Sequence, residues 1–134
     1  MLRFLEKRKY YLVYIPLISY WIILLAATSF PTTSVPTVDV SDKFMHFAAY
    51  LGLGILINLT LLFQNRFIPL KKKNILYTLL IGSFYAAIDE VHQHFIPGRY
   101  MELLDFVADL AGLALAVIFV LSLVRITKFI PNLK

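Results

Sequence analysis

The stretch NILYTLLIGSFYAAIDEVHQHFIPGR, residues 74–99, joins an apolar run to a dense group of titratable side chains. Within this stretch no charged residue precedes Asp89. From Asp89 onwards it contains two acids, two histidines, a glutamine and an arginine. The uncharged part is 15 residues long, or about 22 Å of helix, and a bilayer core is about 30 Å thick. A helix that crosses the membrane here must therefore carry Asp89 and Glu90 with it.

The composition of the whole chain also predicts a membrane protein. Of 134 residues, 60% are hydrophobic and only 16% are charged, whereas soluble domains have about 25% charged residues. The apolar residues occur in long blocks, which favours an all-α protein that crosses the membrane several times. There is no cysteine, so disulfides, zinc–thiolate sites and cysteine nucleophiles are excluded.

Four segments are expected to cross as helices and to form one compact bundle. The first, YYLVYIPLISYWIILLAATSF, is too long for the apolar region of a signal peptide, which has about 7–15 residues. The fourth resembles the third because it completes its crossing with two acids, Asp105 and Asp109. The expected spans, all within a single domain of residues 1–134, are about 10–30, 44–64, 74–95 and 103–124.

The basic residues predict the orientation of this bundle. Eleven of the 13 Lys and Arg residues flank the spans on one side, which is expected to be the cytoplasm. Both termini are then cytoplasmic, and only Lys43 and Arg99 lie outside among the basic residues. Of the eight acids, only Glu6 is on the cytoplasmic side. Membrane topology thus explains the net charge of +5, and no nucleic-acid partner is expected.

The second helix is expected to bring a polar stripe to the outer end. In SDKFMHFAAY, Lys43, His46 and Tyr50 are separated by three, four and seven residues, which places them along one face of a helix. Asp42 is expected to cap the start of this helix. On the third helix, Asp89 and Gln93 are expected to share a face, with Glu90 beside them.

The fourth helix presents a similar stripe after the turn PGR, residues 97–99, which reverses the chain. Asp105, Asp109 and Gly112 recur at four and seven residues, so they lie along one face. At Gly112 a neighbouring helix can approach closely, because glycine has no side chain. Polar groups from three helices are therefore predicted to meet at the outer end.

The acids predicted at this end outnumber the basic residues available to pair with them. Charged groups inside a membrane are costly, so they normally face the bundle interior or a wet cavity and find partners. Either some carboxylates are neutral, or the site binds a cationic or donor-rich ligand. An ion-pair network that only holds three helices together is the structural alternative. No spacing is diagnostic of a metal site, and neither a metal nor a cofactor is expected.

Three motifs together resemble the VanZ-like family of small bacterial membrane proteins. They are DKFMHFAAYLGLG, DEVHQHFIPGR and LLDFVADLAG, and the similarity covers residues from about 20 to 120. At position 109 this chain has Asp where many members have Asn, which adds a potential negative charge. The positions that match the family pattern are Asp42, Lys43, His46, Tyr50, Asp89, Glu90, His92, Gln93, Pro97, Gly98, Arg99, Asp105, Asp109 and Gly112.

The resemblance implies a location in the bacterial cytoplasmic membrane and a link to low-level resistance to the glycopeptide teicoplanin. With the chemistry of the residues, it favours an outer-leaflet site for a membrane lipid, a lipid-linked envelope precursor or a glycopeptide. The candidate catalytic residues are Glu90, His46, Asp89 and Asp105. The candidate ligand-binding residues are Lys43, Tyr50, His92, Gln93, Arg99 and Asp109. The residues expected to be structural are Asp42, Pro97, Gly98 and Gly112.

Other functions remain open from the sequence. Catalysis is neither shown nor excluded, since G-x-S-x-G, HExxH and phosphate-loop motifs are absent, and no serine has a base partner by spacing. A scaffold held together by its polar network is the main alternative, and a homo-oligomer is compatible with either. Proton-linked transport ranks last, because the inner halves of the third and fourth helices offer almost nothing ionisable.

Overall fold

The structure, a computed structural model, describes residues 1–31, 41–129 and 131, and these contain no β-strand. An all-α fold is thereby confirmed. The elements in chain order are α1 (Leu2–Lys7), a π-helical turn (Tyr10–Tyr14), α2 (Ile15–Ser29), α3 (Asp42–Phe63), α4 (Ile68–Lys72), α5 (Asn74–Gln93) and α6 (Leu103–Ile126).

Within the described residues, three helices are long and apolar enough to cross a membrane. They are the π-helical turn continued by α2, over Tyr10–Ser29, then α3 and α6. The third expected span corresponds to α5, which has a comparable 20 residues. It is not among the three because its last two turns contain the acids, the histidine and the glutamine of DEVHQ, which lower its mean hydropathy. Four spans and the positions of the termini therefore remain predictions.

One face of α5 is nevertheless apolar over its whole length. Five exposed apolar side chains recur every three or four residues, so they form a single stripe along the helix. The opposite face contains Asp89 and Glu90, which are only 3% and 2% exposed. An exposed apolar stripe of this length is expected where a helix faces lipid. The stripe consists of Leu76, Leu80, Phe84, Ile88 and Val91.

The start of the first span is widened by a proline. Pro16 has no N–H group, and its ring would clash with the carbonyl oxygen four residues earlier in a regular α-helix. The chain accommodates this with the π-helical turn Tyr10–Tyr14, directly before α2. The helix then continues without interruption to Ser29.

Helix α3 is the central element of the bundle. In its most apolar stretch 56% of the residues are buried, against 17% in the first span. Its closest approach is to α6, at Gly112. A Cβ atom at that position would lie 2.8 Å from the backbone nitrogen of Leu51 and would collide with the carbonyl oxygen of Phe47. The close packing predicted at Gly112 is thus present.

The long helices alternate in direction, so α2 and α5 end where α3 and α6 begin. We call this the acid-rich end, because the buried acids lie there. At the other end, which we call the opposite end, Leu2 and Val13 are buried with the last turns of α3. A second apolar cluster, built around Leu53 and Leu113, fills the middle of the bundle. Two apolar layers therefore lie beneath the polar residues of the acid-rich end.

Candidate functional site

At the acid-rich end, the first ion pair of the α3 stripe links α3 to the start of α6. Lys43 Nζ donates hydrogen bonds to Glu102 Oε2 at 2.8 Å and to Asp105 Oδ1 at 3.0 Å. The Asp105 side chain is 5% exposed, whereas that of Glu102 is 50% exposed. The hydrogen bond from Lys43 and its positive charge lower the pKa of Glu102. Lys43 therefore forms ion pairs with one buried and one exposed carboxylate.

One turn deeper, His46 lies between two acids from two other helices. Its Nδ1 atom is 3.0 Å from Asp109 Oδ1 and 3.8 Å from Glu90 Oε1. Burial is nearly complete, at 8% exposure for His46, 2% for Glu90 and 0% for Asp109. Two of the four carboxylate oxygens, Glu90 Oε1 and Asp109 Oδ2, have no hydrogen-bond partner among the described residues. We call this buried three-residue cluster the His46 triad.

The other oxygen of Glu90 is held by the backbone. The N–H group of Glu102, at the residue that precedes α6, donates to Glu90 Oε2 at 3.0 Å. Backbone N–H groups at the start of a helix have no partner within the helix and favour negative charge. The start of α6 thus fixes the Glu90 carboxylate with its second oxygen towards His46.

Asp89 has a separate set of partners. It accepts hydrogen bonds from Thr28 Oγ1 at 2.8 Å and from Tyr50 Oη at 3.4 Å. These donors come from α2 and α3, so Asp89 joins α5 to both helices. Neither bond involves the His46 triad, and the two neighbouring acids of α5 therefore have different surroundings.

Arg99 connects the PGR turn to the end of α2 and to α5. It donates to the carbonyl oxygens of Ala27 at 3.0 Å and Phe30 at 3.1 Å, and to Gln93 Oε1 at 3.2 Å. Gly98 has φ = 79°, a left-handed conformation that suits glycine and that allows the chain to reverse there. An arginine has five N–H donors, and its bonds to described residues use three of them.

Some candidate residues have separate partners in the described part of the chain. Lys43 and Arg99 bind different groups. Asp105 bonds to Lys43, whereas Asp109 lies beside His46. The prediction that Asp42 caps α3 is wrong, because Ser41 occupies the capping position and no side-chain cap bond forms there. Asp42 is already helical, so its side chain is past the place from which a capping oxygen reaches the first amides.

Two residues of the site were missed by reasoning from the sequence. Thr28 donates to Asp89, and Ser29 Oγ lies 3.0 Å from His92 Nε2. Ser29 therefore has a histidine neighbour that its spacing in the sequence does not indicate. Both contacts join residues more than 60 positions apart. Only the TS at the end of the first apolar run could have indicated them, and such residues are common at helix ends.

The Ser29–His92 contact is not the arrangement of a nucleophile and its base. Ser29 Oγ also lies 2.6 Å from the carbonyl oxygen of Leu25, to which it donates its only proton. It therefore accepts a hydrogen bond from His92 Nε2 instead of giving up a proton to it. A base would need the unprotonated nitrogen directed at the hydroxyl.

An apolar groove lies beside the site, between α2 and α5. It has a cavity volume of about 170 Å³ and is lined by Trp21, Ile22, Leu25 and Tyr85. Trp21 Nε1 and Tyr85 Oη are buried there without a hydrogen-bond partner among the described residues. The groove lies one turn below Thr28 on α2 and one turn below Asp89 on α5. An apolar chain in this groove would have its polar end at the acid-rich end.

Comparison with known proteins gives the family. A family model described as VanZ/LLP1 matches residues 5–125 of this chain. The chain belongs to the VanZ/LLP1 family. The predicted resemblance is thus confirmed. No curated protein and no solved structure shows significant similarity to it.

Membership in the VanZ/LLP1 family is consistent with the three apolar helices as membrane-spanning elements. The motifs that indicated the family also supply the site. DKFMHFAAY gives the α3 stripe, DEVHQ gives the acids of α5, and LLDFVADLAG gives the face of α6 that packs on α3. Family membership does not assign a role to any residue of this VanZ/LLP1 protein, so the catalytic and ligand-binding roles stay predictions.

Proposed function

We propose that this VanZ/LLP1 protein binds, and through the same site chemically modifies or sequesters, a lipid-anchored molecule of the bacterial cell envelope. The observation that carries the proposal is the position of the apolar groove below Arg99. Three of the four groove residues belong to α2, and Arg99 binds the last carbonyl groups of that helix. An apolar chain and an anionic head therefore have adjacent places on one surface.

The proposal includes the topology expected from the sequence. Helix α5 is the third of four spans in chain order: its lipid-facing stripe runs along its length, and 20 residues of helix cover about 30 Å. The basic residues place both termini in the cytoplasm. The acid-rich end then lies at the outer leaflet of the cytoplasmic membrane, at the depth of the head groups of lipid-linked precursors.

The head group of the ligand is proposed to be a phosphate. Of the two residues Lys43 and Arg99, the lysine and arginine described at the acid-rich end, only Arg99 is not already paired with carboxylates. Its planar guanidinium group suits bidentate contacts with a phosphate. A reaction on such a head group would use His46 or Glu90 as the base, since Asp89 and Asp105 are held by hydrogen-bond donors. A lipid-tailed glycopeptide presents a similar chain, and teicoplanin-type resistance is the proposed phenotype.

The chain contains a built-in reporter for this binding. Trp21 is the only tryptophan, and it lines the groove, so its fluorescence should respond when a chain enters. We would titrate the purified protein, in detergent, with a polyprenyl phosphate and separately with the corresponding polyprenol. The phosphate should give a saturable change in emission, and the polyprenol a much weaker one, because Arg99 has no anion to bind.

Two arginine variants make this test specific. Arg99→Ala should weaken phosphate binding by at least about tenfold, the loss of one charge-assisted contact. Arg125→Ala removes the same charge from the exposed C-terminal end of α6 and should bind like the wild type. Circular dichroism should show equal helix content in all three proteins. Equal affinities in Arg99→Ala and Arg125→Ala, or no preference for the phosphate, would refute the proposal.

The second candidate is a structural membrane protein, and it is supported by contacts of the site that join different helices. Lys43, Asp89 and Arg99 each join two or more elements of the bundle. A purely structural network predicts that Arg99→Ala and Glu90→Gln lower the thermal stability in detergent. A binding site predicts loss of ligand at nearly unchanged stability. Thermal unfolding of the two variants without ligand therefore separates the two functions.

A further inference from the structure

The His46 triad combines three ligand types that metal ions use, from three different helices. His46 of α3, Glu90 of α5 and Asp109 of α6 each have a donor atom within 4.8 Å of the other two. Two of the three separations, 3.0 and 3.8 Å, are close to the roughly 3–3.5 Å between ligands that are 2.0–2.2 Å from one metal ion. The side chains need only small shifts to surround an ion.

The unpartnered oxygens give independent support. Glu90 Oε1 and Asp109 Oδ2 are fully buried and have no hydrogen-bond partner among the described residues. Leaving such atoms unsatisfied in an apolar interior is costly. The other Glu90 oxygen is held by a backbone N–H, and Asp109 Oδ1 lies 3.0 Å from His46 Nδ1. An ion bound by Nδ1 would replace that hydrogen bond, because a nitrogen that binds an ion cannot also donate a proton. Each carboxylate still has a buried oxygen for a ligand.

The charges of the triad match a divalent cation. A metal ligand must be unprotonated. With His46 neutral for that reason and both carboxylates ionised, the triad has a charge of −2, which one such ion cancels. The nearby acids already have other partners, because Lys43 forms an ion pair with Asp105, and Asp89 accepts two hydroxyl hydrogen bonds. A second group of suitable side chains, which shares His46, contains the exposed Asp42 and this same Asp105. It is less suitable, since Lys43 already holds its Asp105.

The donor set also indicates the kind of ion. Imidazole nitrogen is a poor ligand for Mg²⁺ and Ca²⁺, which prefer oxygen, but a common ligand for Zn²⁺. One His and two carboxylates are three protein ligands, and a Zn²⁺ site with three protein ligands keeps its fourth position open for water or substrate. The three ligands also come from three helices, which is the geometry of metal sites in helix bundles.

We propose that His46, Glu90 and Asp109 form a binding site for a divalent transition-metal ion of the Zn²⁺ class. The site goes beyond the proposed function, because the metal would bind in the absence of any envelope molecule. With an ion bound, His46 and Glu90 are its ligands and no longer serve as the base of a reaction. An ion here would be held at the junction of α3, α5 and α6 and would stabilise it. It also reverses the expectation, from the sequence, that the chain binds no metal.

The test is metal binding by lipid-free protein purified in detergent with a histidine-free affinity tag. After treatment with a chelator, the protein is titrated with Zn²⁺ by calorimetry, and bound metal is counted by mass spectrometry. We expect one Zn²⁺ per chain, and a higher melting temperature with Zn²⁺ but not with equal Mg²⁺ or Ca²⁺. No bound Zn²⁺, or equal stabilisation by Mg²⁺, would overturn the proposal without depending on any variant.

Matched variants then locate the ion. Glu90→Gln and Asp109→Asn should each weaken Zn²⁺ binding by at least about 100-fold, more than the 10–100-fold typical of residues that only support a ligand. Asp89→Asn removes a buried carboxylate at the same end, outside the triad, and should bind Zn²⁺ within about threefold of the wild type. Equal losses in all three variants would contradict the assignment.

The outcome is separable from that of the proposed function. Arg99→Ala should lose the phosphate ligand and keep Zn²⁺, because Arg99 has no contact with the triad in the described residues. Zn²⁺ binding without polyprenyl phosphate binding would support the metal site and refute the proposed ligand. Polyprenyl phosphate binding without Zn²⁺ binding would support the proposed ligand and refute the metal site.

Discussion

The two ends of the bundle contain buried polar clusters that differ in charge and in whether their polar atoms have hydrogen-bond partners. At the opposite end, Asn58 Nδ2 donates to Thr78 Oγ1 at 3.0 Å and to Asn74 Oδ1 at 3.4 Å, and Thr78 donates to the carbonyl oxygen of Asn74 at 2.8 Å. This cluster is neutral, and none of its fully buried nitrogen or oxygen atoms lacks a partner. At the acid-rich end, by contrast, two carboxylate oxygens are buried without a hydrogen-bond partner in the part of the chain that the structure describes.

The first cluster only holds helices together, whereas the second has carboxylate oxygens that can still bind a ligand. A neutral, satisfied cluster costs little to bury and contributes hydrogen bonds between α3 and α5. Unpartnered carboxylate oxygens lower the stability of the folded protein. Burial removes the water molecules that solvate them, and the protein supplies too few hydrogen bonds to compensate. Sites of function commonly contain such locally unfavourable groups. The following predictions test this contrast, from the largest expected effect to the smallest.

The largest effect is expected at Gly112, where α6 touches α3 below the acid-rich end. Gly112→Ala places a Cβ atom against the α3 backbone, so the helices must separate, at a cost of roughly 1–3 kcal/mol in unfolding free energy. Separation should also move Asp109 away from His46 and weaken Zn²⁺ binding. Unfolding in detergent measures the first effect and calorimetry the second.

Gly52→Ala is the matched control. A Cβ atom there would meet the tip of the Tyr20 side chain, with Oη at 2.7 Å, and not backbone. The tyrosine can rotate away, so the loss of stability should be clearly smaller and Zn²⁺ binding unchanged. Equal losses at the two glycines would show that the contact between α3 and α6 is not special.

The second prediction compares the two clusters directly. Asn58→Ala removes the donor of the neutral cluster and should lower the unfolding free energy by about 0.6–2 kcal/mol, with ligand and metal binding intact. Glu90→Gln should lose metal binding without a loss of stability in the metal-free protein. The new amide oxygen can still accept the N–H of Glu102, and one buried charge is removed. If Glu90→Gln were the more destabilising variant, the two clusters would have the same structural role.

The third prediction concerns Thr28, which the sequence did not single out. Thr28→Val has nearly the same shape and removes the hydroxyl that donates to Asp89 at 2.8 Å, so it should cost about 1 kcal/mol of unfolding free energy. Thr127→Val is the control, because that hydroxyl bonds only to the Leu123 carbonyl oxygen of its own helix. Chemical denaturation of both variants would show whether α2 is held by Asp89. Equal stability of the two variants would mean that the hydrogen bond from Thr28 to Asp89 does not hold α2.

The smallest effect is expected from the exposed pair of Lys43 and Glu102. Lys43 lowers the pKa of Glu102 below its usual value of 4.5, so the pair stabilises the folded protein above about pH 4.5. This contribution is lost as the pH falls through the lowered folded value. Glu102→Gln should flatten that part of the stability–pH curve slightly, and about 1 M salt should remove the difference. A steeper curve for the variant would contradict the assignment.

Much of the fold could be predicted from the sequence because long helices leave a simple pattern. The uncharged runs determined which segments are helical, and the spacing of Lys43, His46 and Tyr50 predicted one face. The spacing of Asp105, Asp109 and Gly112 likewise predicted one face of α6. The family was also recognisable, since its motifs are short runs of polar residues at fixed spacing. The limits of this reasoning appeared at helix ends, where Ser41 and not Asp42 precedes α3.

The sequence by itself determined which helices form, which of their faces are polar, and that the acids gather at one end. Those properties depend on residues within three or four positions of each other, which the chain order specifies. Only the tertiary structure decided how the acids are partnered. Thr28 with Asp89, Ser29 with His92, and His46 between Glu90 and Asp109 join residues about 44–63 positions apart. Pairing across helices depends on their relative rotation and depth, which packing around Gly112 and the apolar layers sets and which no local pattern records.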